Sequence, residues 1–372
     1  MEIGSEFYFE EEFMTERKDF FFRTINAYHS ASSKNITFCG AGRSALRIVV
    51  DSIIAQNSQV NSVLLPAFLC DSIIKPFEDR NIKCNFYKVD FDGNVDFKAI
   101  DKHLTSSCIF YFIDFFGFVN TQLLERISEL KKTREFIIIN DITHSIFTKK
   151  NIDFKSDFYI ASLRKWLGVP SGGLVINCSN YVLKNSIMSN NYEFSRIRLE
   201  AMKNKKSYIK GFINEKQVFL SQFNKGEEIL NNFSEVFPLD MISSKILSCY
   251  NYDKMIYQRQ CNYNVLLDGL SNIPNFSILN NKLDNNVCPL FFVIKTNKRN
   301  DLQTYLAKQK IYAPIHWPKP ESIIKKRINI NDTEYQELLS IPCDQRYTES
   351  NMLDVIKEIK GWCNLNDRKG NY

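Results

Sequence analysis

The chain has 372 residues, enough for two or three domains or for one large α/β body with a smaller appendage. Hydrophobic residues make up 44% and charged residues 24%, the balance of a soluble globular protein. The net charge of +6 comes from 48 basic and 42 acidic residues spread along the chain with no basic block, which argues against a nucleic-acid partner.

The start, MEIGSEFYFEEEF, is acidic where a signal peptide is basic, and it has no apolar core. From about residue 35 to 178, short apolar runs alternate with amphipathic segments. NITFCG precedes RSALRIVVDSII, SVLLPAF precedes DSIIKPFEDRN, and SCIFYFIDFFG precedes TQLLERISELKKT and then EFIIIND. Apolar runs without alternation predict strands covered on both faces, hence a largely parallel sheet flanked by helices. The most apolar run, CIFYFIDFFGF at 108–118, carries Asp114 and is too short for a membrane helix, so it reads as a buried strand. DFYIAS and GGLVINC add two more strands.

Residues 185 to about 245 read as polar helices, and a second strand–helix–strand pattern follows in VCPLFFVIKT, NDLQTYLAKQK and IYAPIHWP. TESNMLDVIKEIKGW predicts a terminal helix, with a frayed tail from Asn364. The expected fold is α/β: an N-terminal segment over 1–34, a large domain with a mostly parallel sheet over 35–245, and a smaller C-terminal α+β domain over 246–372. The ten cysteines form no C-x-x-C pair and the four histidines are scattered. The expectation is therefore reduced thiols in a cytoplasmic protein, no metal site and no membrane span.

Three predicted strand ends carry unusual residues, and open α/β sheets bind ligands at such ends. In CGAGRSALR at 39–47, Gly40 and Gly42 let the backbone bend, while Arg43 and Ser44 put free N–H groups, plus a hydroxyl, at a helix N-terminus, where phosphate binds. The same stretch satisfies G-x-G-x-x-A with Gly40, Gly42 and Ala45, and a tight turn without a ligand explains it equally well. In IIINDITHSIF, Asp141 closes an apolar strand and His144 follows. A carboxylate there needs a positive partner, either a protonated pyridine nitrogen or a helix N-terminus. In SLRKWLGVPSGG, Ser162 and Lys165 follow a strand, and Arg164 and Trp166 offer the cation and the burial that lower a lysine pKa. A lysine paired to a carboxylate at a domain edge is the plainer account.

Taken together, a phosphate cradle, a carboxylate for a pyridinium and a lysine on a glycine-bounded turn match the needs of pyridoxal 5'-phosphate (PLP). A dinucleotide would instead want an acid about 20 residues after the glycines, where the chain reads SVLLPAF and reaches its first acid only at Asp71. An NAD(P)-dependent oxidoreductase and a non-catalytic ligand-binding protein remain the alternatives.

GRSAL, LPAFLC, the FFG strand end, NDITHS, SLRKWLGVPSGG, IYAPIHWP and IPCDQRY resemble, in order, segments of the fold-type-I PLP-dependent sugar aminotransferases, the DegT/StrS family, over roughly residues 35 to 360. The resemblance implies that Lys165 forms the Schiff base, that Asp141 holds the ring nitrogen, and that His144 stands where the family has a glutamine near the ring. Gly42, Arg43, Ser44 and Ser162 fall at phosphate-binding positions. Phe68 and Cys70 lie in the segment that supplies a stacking aromatic, with Cys70 nearer that position. His316, Trp317 and Arg346 are candidates for reaching substrate or for packing between domains. The implied reaction moves an amino group, from glutamate by resemblance, to a nucleotide-linked keto-sugar, in amino-sugar or surface-polysaccharide biosynthesis, in a homodimer. Two departures stand out: P-S-G-G replaces G-E-G-G after the lysine, and no G-x-N-x-R-M loop occurs between 180 and 230.

Overall fold

The computed structural model describes residues 2–10, 20–29, 35–89, 91, 95–150, 155–184, 192–232, 235–325 and 332–369. A seven-stranded sheet runs, in spatial order, Ile36–Cys39, Gly173–Asn177, Phe158–Ser162, Ile137–Asp141, Cys108–Ile113, Ser62–Pro66 and Lys83–Tyr87. Neighbours are parallel except around Gly173–Asn177, which is antiparallel to both of its partners. Every residue of CIFYFI and of IIIND is buried, as strands covered on both faces must be.

The covering helices follow from spacing. In Thr121–Thr133, Leu123, Leu124, Ile127 and Leu130 recur at one face and are buried. The Asn120 side chain starts that helix by accepting a hydrogen bond from the Leu123 N–H. Each such leucine or isoleucine stabilises the fold by about 1.5–3 kcal/mol through burial. The chain runs outward from Ser62–Pro66 to Lys83–Tyr87, then crosses back to place Cys108–Ile113 on the other side of Ser62–Pro66. Such a reversal opens a crevice beyond the carboxyl ends of the strands.

A second, antiparallel sheet has the order Leu338–Ile341, Phe292–Lys295, Ser277–Ile278 and packs on the helices Arg299–Lys308 and Glu349–Lys369. The long helix Tyr252–Leu270 serves both cores: Met255 and Ile256 join the cluster under the large sheet, while Tyr263, Leu266 and Leu270 join the cluster under the small one.

Two sequence expectations change. The late strand–helix–strand unit does not close on itself, because Ile311–Tyr312 pairs in parallel with Ile3–Gly4 at the start of the chain. The tail expected to fray from Asn364 continues the helix Glu349–Lys369 as far as Lys369, and residues 370–372 lie outside the described residues. Polar helices do occupy the middle of the chain, as the hairpin Glu193–Ile209 and Lys216–Asn232, whereas residues 185–191 of that prediction lie outside the described residues. Among the described residues no helix is long and apolar enough to cross a membrane.

Candidate active site

Register brings the three unusual strand ends to one edge of the large sheet. Ile113 pairs with Asp141, Asp141 with Ile160, and Gly173 lies between Ser162 and Cys39. The helix Gly42–Gln56 begins at this edge, and its N-cap, Ala41, makes no side-chain cap hydrogen bond. The first-turn N–H groups of a helix have no intrahelical acceptor, so an anion is their natural partner. A Cβ at position 42 would sit only 3.0 Å from the Ser162 Cβ, so any larger residue there would have to push Ser162 aside by a few tenths of an ångström.

A cavity of about 170 Å³ lies at this edge, lined by Gly42, Arg43, Cys70, Asp141, His144, Ser162, Lys165 and Trp317. Seven of the eight cofactor-site residues expected from sequence thus share one space. Ser44 does not line it: its side chain is buried, and its hydroxyl accepts a hydrogen bond from the Phe237 N–H at 3.4 Å.

Asp141 is buried at the end of its strand. Tyr111 Oη donates to its Oδ2 at 2.7 Å and the Thr143 N–H to its Oδ1 at 2.9 Å. Burial raises its carboxyl above the ordinary range, against the bonds from Thr143 and Tyr111. No cation of the described residues pairs with it. The buried His144 accepts a hydrogen bond at Nδ1 from the Phe116 N–H at 3.3 Å, which puts the ring proton on Nε2. Burial, then the Lys165 charge, push its pKa down to about 3, so the ring is neutral. Trp317 stacks on it with centroids 5.5 Å apart and planes 24° apart.

Lys165 ends the short turn Leu163–Lys165 after the strand Phe158–Ser162. Its neighbours in sequence have separate tasks. Trp166 is fully buried, donates from its indole to the Thr143 carbonyl at 2.7 Å, and lies under the Arg259 guanidinium at 4.6 Å. Arg164 pairs with Glu227 at 2.9 Å, and the same Glu227 oxygen accepts from Arg198 at 3.1 Å. Burial would raise the Glu227 carboxyl, but Arg164 and Arg198 bring it down to about 2.

The glycine-bounded loop is held from across the chain. Asp240 accepts from the Ser171 hydroxyl, the Ser171 N–H donates to Ser243 Oγ at 3.0 Å, and Asp240 also caps the helix Met241–Cys249. A carboxylate therefore meets the P-S-G-G turn, supplied by Asp240 rather than by the turn itself.

Arg164 and Lys165 also line a second cavity, of about 880 Å³. Its walls include residues 4–7, Lys216 and Arg259, the helix Arg299–Lys308, and two strand ends, one carrying His316 and the other Asp344 and Arg346. His316 Nδ1 is 2.9 Å from Ser340 Oγ, and burial holds its pKa well below the ordinary range. Arg346 reaches this wall with its guanidinium already engaged: Nε and Nη2 donate to the two Asp344 oxygens at 2.8 Å, Nη1 to the Glu6 carbonyl at 3.1 Å and Nη2 to the Ser5 carbonyl at 3.2 Å. Sequence reasoning missed Tyr111, Thr143, Glu227 and Glu6. Thr143 had a signal, since it lies two residues after Asp141 in NDITHS, whereas Glu227 had none.

No protein-family profile matches this sequence, and no curated protein matches it. Solved structures do match. Helicobacter pylori PseC, an aminotransferase of pseudoaminic acid biosynthesis, is 14% identical with a TM-score of 0.69, the match covering 97% of this chain and 99% of that one. The PLP form of the putative sugar aminotransferase Spr1654 from Streptococcus pneumoniae is 12% identical, TM-score 0.65, over 98% and 99% of the two chains. A DegT DnrJ EryC1 StrS aminotransferase from Brucella abortus is 15% identical, TM-score 0.63, over 96% and 91%. Over nearly its whole length, this chain has the fold of these sugar aminotransferases.

Proposed function

We propose that the protein is a PLP-dependent aminotransferase acting on a keto-sugar. One observation carries the reading: Asp141 is a buried carboxylate without a cationic partner among the described residues, and it shares a cavity with Lys165 and an uncapped helix N-terminus. A pyridinium nitrogen supplies the missing charge, a phosphate the missing anion, and a cofactor aldehyde a reason for the lysine. The residues present fit that group. Asp141 would hold the ring nitrogen, the backbone at Gly42 and Arg43 with Ser162 the phosphate, and Lys165 the reactive carbon.

When bound, PLP supplies an electron sink for carbanion chemistry. The chain's own work is proton handling and exclusion of water. The Tyr111 and Thr143 hydrogen bonds hold both oxygens of the Asp141 carboxylate in place. Neutral His144, held between the Phe116 N–H and the Trp317 ring, forms an apolar wall with one donor. Lys165 Nζ is the base that takes the Cα proton of the amino donor and returns it. The larger cavity, which opens at Lys165, has the size of a small-molecule site and takes the donor and then the acceptor.

Solved relatives of the fold include DesI with its TDP-sugar product and Spr1654 in PLP and PMP forms, which favours a nucleotide-linked keto-sugar as acceptor here. Glutamate as donor, a homodimer and a cytoplasmic setting complete the proposal. The test is the visible spectrum of the purified protein. A yellow band that borohydride fixes to the Lys165 peptide, and that glutamate bleaches in untreated protein, is the expected result. A protein that stays colourless after addition of PLP refutes the reading.

A further inference from the structure

Arg164 stands where the two cavities meet and lines both. Both arms of the helical hairpin hold its guanidinium. Nη1 donates to Glu227 Oε1 at 2.9 Å, on the helix Lys216–Asn232, and the group lies over the Phe194 ring at 5.2 Å, on the helix Glu193–Ile209. Phe194 packs in a small cluster with Ala41, Leu230 and Phe237, and Ala41 is the N-cap of the helix Gly42–Gln56. The guanidinium is thus fixed beside that uncapped helix start, on the wall that also carries Gly42, Arg43 and Ser162. Arg164 Nε is buried and has no hydrogen-bond partner among the described residues.

We propose that Arg164 is the side-chain cation of the phosphate cradle, a cofactor-binding residue whose guanidinium meets the PLP phosphate in front of the helix Gly42–Gln56. The inference rests on the cofactor reading above.

The other charges at this corner are accounted for. Arg198 is committed twice, through Nη1 to the same Glu227 oxygen at 3.1 Å and through Nη2 to Glu6 at 3.1 Å. Arg43 donates to Asn231 Oδ1 at 2.7 Å, a neutral acceptor one turn beyond Glu227. Three guanidinium groups therefore share the two carboxylates of Glu227 and Glu6, and the positive charge left over lies on the cavity wall formed by Arg43 and Arg164. Asp141, the other carboxylate of this cavity, is bonded by Tyr111 and Thr143 instead. A planar guanidinium with one nitrogen on a carboxylate still has donors for a phosphate. Glu227 lines the small cavity and not the large one, so the pairing that orients Arg164 holds it toward the cofactor side.

The test compares binding of PLP with binding of pyridoxal, the same ring without the phosphate, to the apoprotein, read from the visible band. Loss of a hydrogen bond to a charged group should weaken PLP binding in Arg164→Gln by roughly ten- to a hundredfold and leave pyridoxal binding unchanged. Arg164→Lys keeps the charge but not the fork, and recovers part of the loss. Glu227→Gln distinguishes recognition from scaffolding. It removes the carboxylate that anchors Arg164 and takes a negative charge off the wall, so it should bind PLP at least as well as the wild type. An arginine that only braces the hairpin would give equal losses of PLP in Arg164→Gln and Glu227→Gln. That result, an unchanged PLP affinity in Arg164→Gln, or equal losses of PLP and pyridoxal in that variant, overturns the inference and leaves the cofactor reading standing. A wild type that binds neither ligand overturns both.

Discussion

The two cavities that meet at Lys165 are built in opposite ways. The smaller one is made by turns that each follow directly on a strand of one sheet, so register alone brings Gly42, Asp141 and Ser162 together. The larger one is made by partners hundreds of residues apart, such as Gly4 with Tyr347 and Glu6 with Arg346. Chemistry in the first rests on backbone geometry that many single substitutions leave alone. The second stands only while a network of buried charges stays closed. Substitutions in the first should therefore change activity without changing stability, whereas substitutions in the charge network behind the second should cost stability first.

The sharpest test of the first half is Lys165→Ala. The lysine provides both the attachment point and the base, and a single acid–base group contributes about 10²–10⁴-fold. Turnover should fall by more than that, while the melting temperature stays near that of the wild type, because Lys165 is exposed and has no ion-pair partner among the described residues. Steady-state kinetics and a thermal melt on the same preparation check both halves. Retained turnover would refute the assignment, and a large loss of stability would blur the contrast.

The same contrast explains what the sequence made legible. Strand ends such as IIIND and FYIAS announce themselves through apolar runs followed by a charged or glycine-rich turn, and seven of the eight cofactor-site residues expected from sequence, six from these turns and Cys70 from the resemblance, line one cavity. Ser44 escapes because a short motif fixes the backbone of a turn but not which way each side chain faces; Phe237 claims its hydroxyl. Glu6 and Glu227 were not legible. Each lies on an ordinary segment, an acidic start and a polar helix, and acquires meaning only from Arg198, itself on a third element. Ile311–Tyr312 carried the pattern of a strand but not the identity of its partner, since a two-residue pairing with Ile3–Gly4 has no local signature.

Arg346→Ala tests the other region. The guanidinium neutralises Asp344, which is buried, and also holds the Ser5 and Glu6 carbonyls. Removing one partner of a buried pair costs about 3–5 kcal/mol, because the other charge is left uncompensated. Burial would raise the Asp344 carboxyl, but Arg346 holds it below the ordinary range. The stability supplied by that pair is therefore present above about pH 4, the unfolded value, and is lost as pH falls through the folded one. Denaturant titrations should show a gap between variant and wild type at neutral pH that narrows in acid. A gap independent of pH would mean that the lost contacts with the N-terminal segment, rather than the ion pair, account for the cost.

The smallest effect separates the cost of the network from its benefit. Lys205 is almost wholly buried on the helix Glu193–Ile209 and donates to the Glu6 carbonyl, which Arg346 also serves. Burial, reinforced by Arg346, lowers its pKa to about 7 against the opposing pull of Glu6, Glu2 and Asp344. In the unfolded chain it titrates near 10.4. Between these values the unfolded state binds more protons than the folded one, so wild-type stability rises with pH through this window and carries the full penalty below it. From pH 7 to pH 8 the gain is about 1 kcal/mol. Lys205→Met removes the titration, so its stability relative to the wild type should be greatest below pH 7 and should fall by that amount over the same unit. Paired denaturant titrations at the two pH values measure it. A difference that does not change with pH would show that Lys205 is charged in the fold, in which case Glu6 has a second cation behind it and the wall of the larger cavity is held by charge more than by hydrogen bonds.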